Sequence, residues 1–237
     1  MPSSSWPPGW SVTWVAETGS TNADLVAAAM ADAPDRTVLA ADHQTAGRGR
    51  LDRRWDTPPG ANLLVSLLIR DLPDQPQLVT QRLALAALAA CSRVADVAPT
   101  LKWPNDLLLD GRKLAGVLAQ AGSSVAGHFV VAGIGINVGW APEGAALLGP
   151  VTTPRQLLRA LLEEYDALPD DVSHTYREHL GTIGQQVRVQ LSGDRELVGR
   201  AIDVEADGRL VVLDACAISH RLDTGDVVHL RADDRPS

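Results

Sequence analysis

The segment QTAGRGRLDRRW, residues 44–55, sets Arg48, Arg50, Arg53 and Arg54 within seven positions, and two glycines, Gly47 and Gly49, alternate with the first of them. Glycine costs about 1 kcal/mol in a helix interior, so the segment reads as a loop. In a loop, backbone N–H groups and guanidinium forks converge on oxygens, and arginine grips a phosphate or carboxylate through two bonds at once. Arginine runs are more often solvated surface than sites. Here the glycines imply close approach, and Trp55 ends the run with a flat ring on which a base can stack. The chemistry expected is the holding of an anion.

Three further stretches carry residues of the same kind. Of 21 basic residues only two are lysines, Lys102 and Lys113, and both fall in LKWPNDLLLDGRKLAG. A compact ammonium kept where arginine serves everywhere else suggests a task that arginine cannot do. On a regular strand Lys113 shares a face with Ala115, Val117 and Ala119, which leaves it either snorkelling to water or meeting a buried anion. Pro104 withdraws a ladder N–H, so Trp103-Pro104-Asn105-Asp106 must lie at an edge or a bulge. That geometry can aim Asn105 and Asp106 into a site, where Asp106 suits Mg²⁺ beside phosphates. In GIGINV, Gly133, Gly135 and Asn137 share one face of a strand, and Ile134 and Ile136 share the other. A face without side chains receives a neighbouring element or a ligand. Finally, Ser20, Thr21 and Asn22 precede an alanine-rich helical run, with Asp24 spaced from Thr21 as in a capping box, and the helix start offers free N–H groups.

The elements that must position these residues read as follows. SVTWVAE, TVLAADHQ, ANLLVSLLIR and HFVVAGIGINVG are strands, and residues 77–97 form a core helix. LKWPNDLLLDGRKLAGVLAQAG reads as two strands joined by Asp110-Gly111, a dipeptide suited to a two-residue type I′ turn. RQLLRALLEEYDAL and the stretch around 172–179 are helical. From about Gln185 the pattern changes to short strands joined by tight turns: VRVQL, LVGRAIDVE, RLVVL, AISHRL and DVVHL. This is the pattern of a small β-barrel or sandwich. The expected architecture is α/β, in the α+β sense of a mixed sheet flanked by helices, over residues 11–182, with a β module over 183–232.

The five motifs GSTN (19–22), QTAGRGR (44–50), KWPND (102–106), GRKLAG (111–116) and GIGINV (133–138) together resemble those of biotin protein ligases, in that family's order, and the resemblance runs from about Val12 to Leu230. It implies a class II synthetase-like catalytic domain with a C-terminal SH3-like barrel. It also implies a two-step reaction: biotin and ATP with Mg²⁺ give biotinyl-5′-AMP and pyrophosphate, and a lysine of a biotin carboxyl carrier domain then takes the biotin. By the same resemblance, Ser20, Thr21, Asn22 and Gln44 hold the ureido ring, and Gly133 and Gly135 floor the biotin cleft, with Gly47 and Gly116 beside it. Arg48, Gly49 and Arg50 cover carboxylate and phosphate, and Lys113 sits between those two anions. Lys113, Arg48 and Arg50 are the catalytic set. Arg53, Trp55, Lys102, Asn105 and Asn137 take the nucleotide, and Asp106 the Mg²⁺. Where many members continue GRGR with Arg-Gly-Arg, this chain has Leu51-Asp52-Arg53. A lipoate or octanoate transferase of the same fold and a non-catalytic biotin-binding module are the rival readings.

Composition bounds the rest. With a net charge of -8 and a pI near 5.2, general nucleic-acid binding is not expected. Only ten residues precede Ser11, too few for a helix-turn-helix, so no DNA partner is expected. MPSSSWPPGW lacks the features of a signal peptide, and no run of eighteen apolar residues predicts a membrane span. Two distant cysteines, Cys91 and Cys216, suit a reducing cytoplasm. A homodimer by sheet-to-sheet pairing stays open.

Overall fold

The computed structural model describes residues 6–191, 195–223 and 225–230. Seven strands form the larger sheet, β1 (Ser11–Thr18), β2 (Thr37–Gln44), β3 (Leu63–Ile69), β4 (Thr100–Lys102), β5 (Asp106–Leu109), β6 (Arg112–Ser124) and β7 (Gly127–Ile136), in the order β1-β2-β3-β7-β6-β5-β4. Only the β1–β2 pair is parallel. The central strands β3 and β7 are largely apolar because elements pack on both faces of the sheet there, and the pleat divides their side chains between the two. Leu63, Val65 and Leu67 of β3, with Ala132, Ile134 and Ile136 of β7, join the main core beneath α2 (Gln77–Ala95) and α3 (Pro154–Ala167). The alternate residues Leu68 and Val131 pack with Phe129 against Leu25 and Ala29 of α1 (Thr21–Met30). Each valine, leucine, isoleucine or phenylalanine among them contributes about 1.5–3 kcal/mol when fully buried.

Among the described residues α2 is the one helix long and apolar enough to cross a membrane. Its Leu83, Ala87, Ala90 and Cys91 are wholly enclosed, as befits a core helix. Burial also pushes the Cys91 thiol up to about 12, which leaves it unreactive. α3 starts on a full capping box, with Thr153 Oγ1 accepting from Gln156 N and Gln156 Oε1 accepting from Thr153 N.

One expectation changes here. The LKWPND–GRKLAG stretch makes three strands rather than two, because the bend at Trp103–Asn105 splits off β4 as the sheet's edge. The turn at Asp110-Gly111 has both residues at positive φ, 51° and 72°, as a type I′ turn needs. A bulge then follows in β6: Leu107 faces Ala115 but Leu108 faces Lys113, so Leu114 is an extra residue.

After α4 (Ser173–His179) the chain forms a five-stranded antiparallel sheet, β8 (Gln186–Gln190), β9 (Glu196–Val204), β10 (Leu210–Asp214), β11 (Ser219–Leu222) and β12 (Asp226–His229), in the order β11-β10-β9-β8-β12. Its buried Val187, Val189, Ala201, Leu210, Val212 and Val227 run into the main core. A seam ties it to β4: Gly181 N donates to Leu101 O (2.9 Å), Trp103 N to Thr182 Oγ1 (3.0 Å) and Trp103 Nε1 to Gly208 O (2.9 Å). The end of the module expected at 183–232 lies outside the described residues.

Candidate active site

The face of the large sheet that carries Gly133 and Gly135 opens into a cavity of about 320 Å³. At its α1 end the polar groups are bonded to one another. Gln44 Oε1, at the end of β2, accepts from Thr21 N (2.7 Å) and Thr21 Oγ1 (3.0 Å). Ser66 Oγ lies 2.8 Å from Thr21 Oγ1 and 2.5 Å from Asn22 Oδ1, while Asn22 Nδ2 donates to Leu118 O (3.0 Å) and Gln120 Oε1 (3.2 Å). Thr21 and Asn22 are therefore fixed although both are buried. Gly133 makes this possible, since a Cβ there would overlap the Asn22 amide oxygen. The capping box expected at Thr21 and Asp24 is not formed. Ser20 takes the N-cap without a side-chain bond, Gln44 reaches across from β2 to take the Thr21 N–H, and Asp24 accepts from Thr18 Oγ1 instead.

The arginine segment folds over the cavity as a pinched loop. Trp55 N donates to Gly47 O (3.0 Å) and Gly49 N to Arg53 O (2.7 Å), and Arg48 and Arg54 form a bridge. Gly47 serves the base of this loop: a Cβ would lie 2.5 Å from Trp55 O, and the residue does not line the main cavity. Trp55 lays its indole on Gly135, where a Cβ would come within 2.6 Å of the ring. Its Nε1 lies over Gly135 as well, buried and with no hydrogen-bond partner among the described residues. Arg50 reaches Asn105 Oδ1 (3.4 Å), and burial lowers its pKa, opposed by the charges of Asp226 and Asp106.

Lys113 does not share a face with Ala115, Val117 and Ala119. The bulge at Leu114 shifts the alternation by one, so Ala115 and Val117 point into the core and Lys113 points into the cavity beside Gly116. There its ammonium pairs with Asp106 Oδ1 at 2.6 Å and lies 5.6 Å from the centre of the Trp55 ring. Asn105 is held by Nδ2 donating to Val117 O (2.8 Å). Lys102, half-buried behind them, has its pKa lowered by burial against the pull of Asp106 and Asp226.

The cavity lining thus gathers Ser20, Thr21, Asn22, Gln44, Arg48, Gly49, Arg50, Arg53, Trp55, Asn105, Asp106, Lys113, Gly116, Gly133 and Gly135. Lys102 and Asn137 are not in it. Asn137 follows the end of β7 and is buried, with Nδ2 donating to Ala146 O (2.9 Å) and Oδ1 accepting from Asn62 Nδ2 (3.3 Å). It pins the segment after β7. Two contributors escape a motif reading. Ser66 was detectable as a hydroxyl inside an otherwise apolar buried strand. Asp226, which accepts from Arg53, comes from β12 and carries no local signal.

Comparison with known proteins settles the kinship. Residues 16–137 match the Biotin/lipoate A/B protein ligase family, and residues 182–230 match the Biotin protein ligase C terminal domain. The biotin–[acetyl-CoA-carboxylase] ligase of Mycobacterium tuberculosis is 42% identical over 94% of this chain and 91% of its own length. The chain belongs to the biotin protein ligase family. A bifunctional ligase/repressor of Escherichia coli is 29% identical to this family member over 73% of the chain and 60% of its own length. The fold of the family is also that of the biotin protein ligase of Aquifex aeolicus in complex with biotin and ATP, at a TM-score of 0.72, 23% identity, and 94% and 99% coverage of the two chains. The Leishmania major ligase in complex with biotinyl-5-AMP superposes at a TM-score of 0.63, with 21% identity and 92% and 100% coverage.

Proposed function

We propose that this chain is an ATP-dependent biotin protein ligase, divided into a catalytic unit over 11–182 and a C-terminal unit over 183–232. The observation that carries the reading is the cavity itself. A fixed polar pocket lies at one end, a bare glycine floor runs along it, and Lys113 stands at the other end under an arginine loop. Biotin fits that gradient, with a ureido ring at one end, an alkyl chain in the middle and a carboxylate at the other. A saturated acyl chain would leave Thr21, Asn22 and Gln44 facing hydrocarbon, which disfavours a lipoate or octanoate transferase. Retention of Lys113 in the cavity disfavours a module that only binds.

In the first step a carboxylate oxygen of biotin attacks the α-phosphorus of ATP, the bond to the β-phosphate oxygen breaks, and pyrophosphate leaves. Two anions must meet, so the barrier is largely electrostatic. Lys113 supplies a point charge between them, and Arg48 and Arg50 supply forks from the loop above; donors placed in advance lower such a barrier without reorganising. Arg53 takes phosphate oxygens and Trp55 covers the adenine side. Gly47 and Gly49 let the loop close, and Gly116 leaves room for the Lys113 ammonium. In the second step the neutral ε-amine of a carrier-domain lysine attacks the acyl carbon and AMP departs with the electron pair of the broken bond.

Mg²⁺ arrives with ATP as part of the substrate. Among the described residues no group of three metal-ligating side chains converges. Asp106 offers one carboxylate beside Lys113, enough for an ion that stays mostly on phosphates and water. The partner is a biotin carboxyl carrier domain. The deciding experiment is mass spectrometry of the protein with biotin, ATP and Mg²⁺ and no acceptor. A bound biotinyl-adenylate, absent when octanoate replaces biotin, is expected; unreacted biotin and ATP would overturn the ligase reading.

A further inference from the structure

Asp226 is the one cavity-lining residue, among those described, that comes from the C-terminal sheet. It begins β12, and its Oδ2 accepts a hydrogen bond from Arg53 Nη2. An acid is the wrong sign for a wall that meets phosphates, so its presence asks for a reason. Burial pushes its carboxyl up, but the Arg53 hydrogen bond and the charges of Arg53, Lys102 and Arg50 outweigh this and hold it below the usual carboxylate range. The same carboxylate is the largest opposing charge on half-buried Arg50, so one acid serves the cations on both sides of the loop tip.

The geometry leaves phosphate a place. Asp226 engages one of the five N–H donors of the Arg53 guanidinium. Among the described residues the others are left to oxygens, and the group is tethered from a strand rather than from its own loop. Arg53 is 62% exposed and sits on a short loop, so without that anchor it has many rotamers to lose when nucleotide binds.

We propose that Asp226 is a positioning residue for adenylation, holding Arg53, and Arg50 beside it, in place for the phosphates of ATP, so that the C-terminal sheet shapes the arginine loop. This rests on the ligase reading above. The test compares parent, Asp226→Ala, Asp226→Glu, Arg53→Ala and the Asp226→Ala/Arg53→Ala double variant in pyrophosphate release. Expected for Asp226→Ala is a rise in the KM for ATP of about two- to fivefold, the size an exposed ion pair carries. The KM for biotin and the Tm should stay at parent values, and Asp226→Glu should recover most of the loss. In the Arg53→Ala background the Asp226 change should add much less than it does alone, leaving only the part carried through Arg50. An unchanged KM for ATP, or full additivity of the two changes, would overturn the proposal. A second readout needs no activity: trypsin cleavage of the ligand-free protein after Arg48, Arg50, Arg53 and Arg54. Faster cleavage in Asp226→Ala than in parent and Asp226→Glu supports the positioning role, and equal rates sink it. A parent that makes no adenylate yet shows this difference in cleavage refutes the ligase reading and leaves the positioning role of Asp226 standing.

Discussion

Lys113 owes its direction to one additional residue. Without the bulge at Leu114 the strand alternation would turn its ammonium toward the core face that Ala115 and Val117 occupy. Its pair with Asp106 is partly solvated, the lysine being 40% exposed, so the contact adds little to stability. Replacing Lys113 by alanine should therefore slow adenylate formation by about 10²–10³-fold, as loss of a preorganised charge does, with a small change in Tm. Adenylate formed at the parent rate would remove Lys113 from the mechanism. Gly133→Ala is a sharper probe of the pocket, because the new Cβ meets the Asn22 amide oxygen. Calorimetry should show biotin binding weakened by at least about tenfold, the cost of displacing a fixed hydrogen-bonding group; parent affinity would mean that Asn22 does not form the pocket. The residues themselves were legible because arginine, lysine, asparagine and glycine announce chemistry by type and spacing. The aim of Lys113 was not, since a bulge changes the register without changing any residue type. Asn137 keeps strand spacing with Gly133 and Gly135 but stands just beyond Ile136, where β7 ends.

Elements in this molecule are mostly dictated by apolar periodicity, and that is why the strands and helices of the core could be read directly. Harder to read was what a turn would do. The Trp103–Asn105 bend makes a separate edge strand of three residues, too short to show a period. The start of α1 was misread because Gln44, 23 positions away, satisfies a donor that a local capping box would otherwise take. Among the described residues, the backbone bonds that pinch the arginine loop are Gly49 N to Arg53 O, Arg53 N to Arg50 O and Trp55 N to Gly47 O. A short surface loop that opens to admit substrate must be reordered by the ligand, at about 1–2 kcal/mol per residue fixed. Hydrogen exchange at the Gly49 and Trp55 amides should accordingly be fast in free protein and slow markedly with biotin and ATP together. Equal exchange with and without ligands would show that the loop is not the cover of the site.

At the scale of the whole molecule, the two sheets meet along a seam centred on Thr182, which is fully buried and accepts from Trp103 N. His229 of β12 lies 3.1 Å from the same hydroxyl through Nε2. Burial lowers the pKa of its ring, and the nearby Lys102 charge lowers it further. The neutral ring is thus favoured in the folded chain, and the unfolded chain binds more protons below its pKa of about 6.5. This contribution to stability is present above that pH and is lost as pH falls through the folded value. Thermal melts between pH 8 and 5 should show a steeper acid-side loss for the parent than for His229→Gln; parallel curves would acquit His229. That seam was invisible in the sequence, where Trp103, Thr182 and His229 are far apart and individually ordinary.

The scarcity of lysine has a consequence for the enzyme's own integrity. An acyl-adenylate reacts with any neutral amine, whereas guanidinium stays protonated and inert as a nucleophile. An activated biotin that escapes its pocket finds only two side-chain amines on the protein that made it, one paired with Asp106 and the other half-buried at the end of β4. The arginine-rich surface is thereby a form of self-protection: the catalyst can handle an acylating agent at each turnover while offering it almost nothing of itself to label.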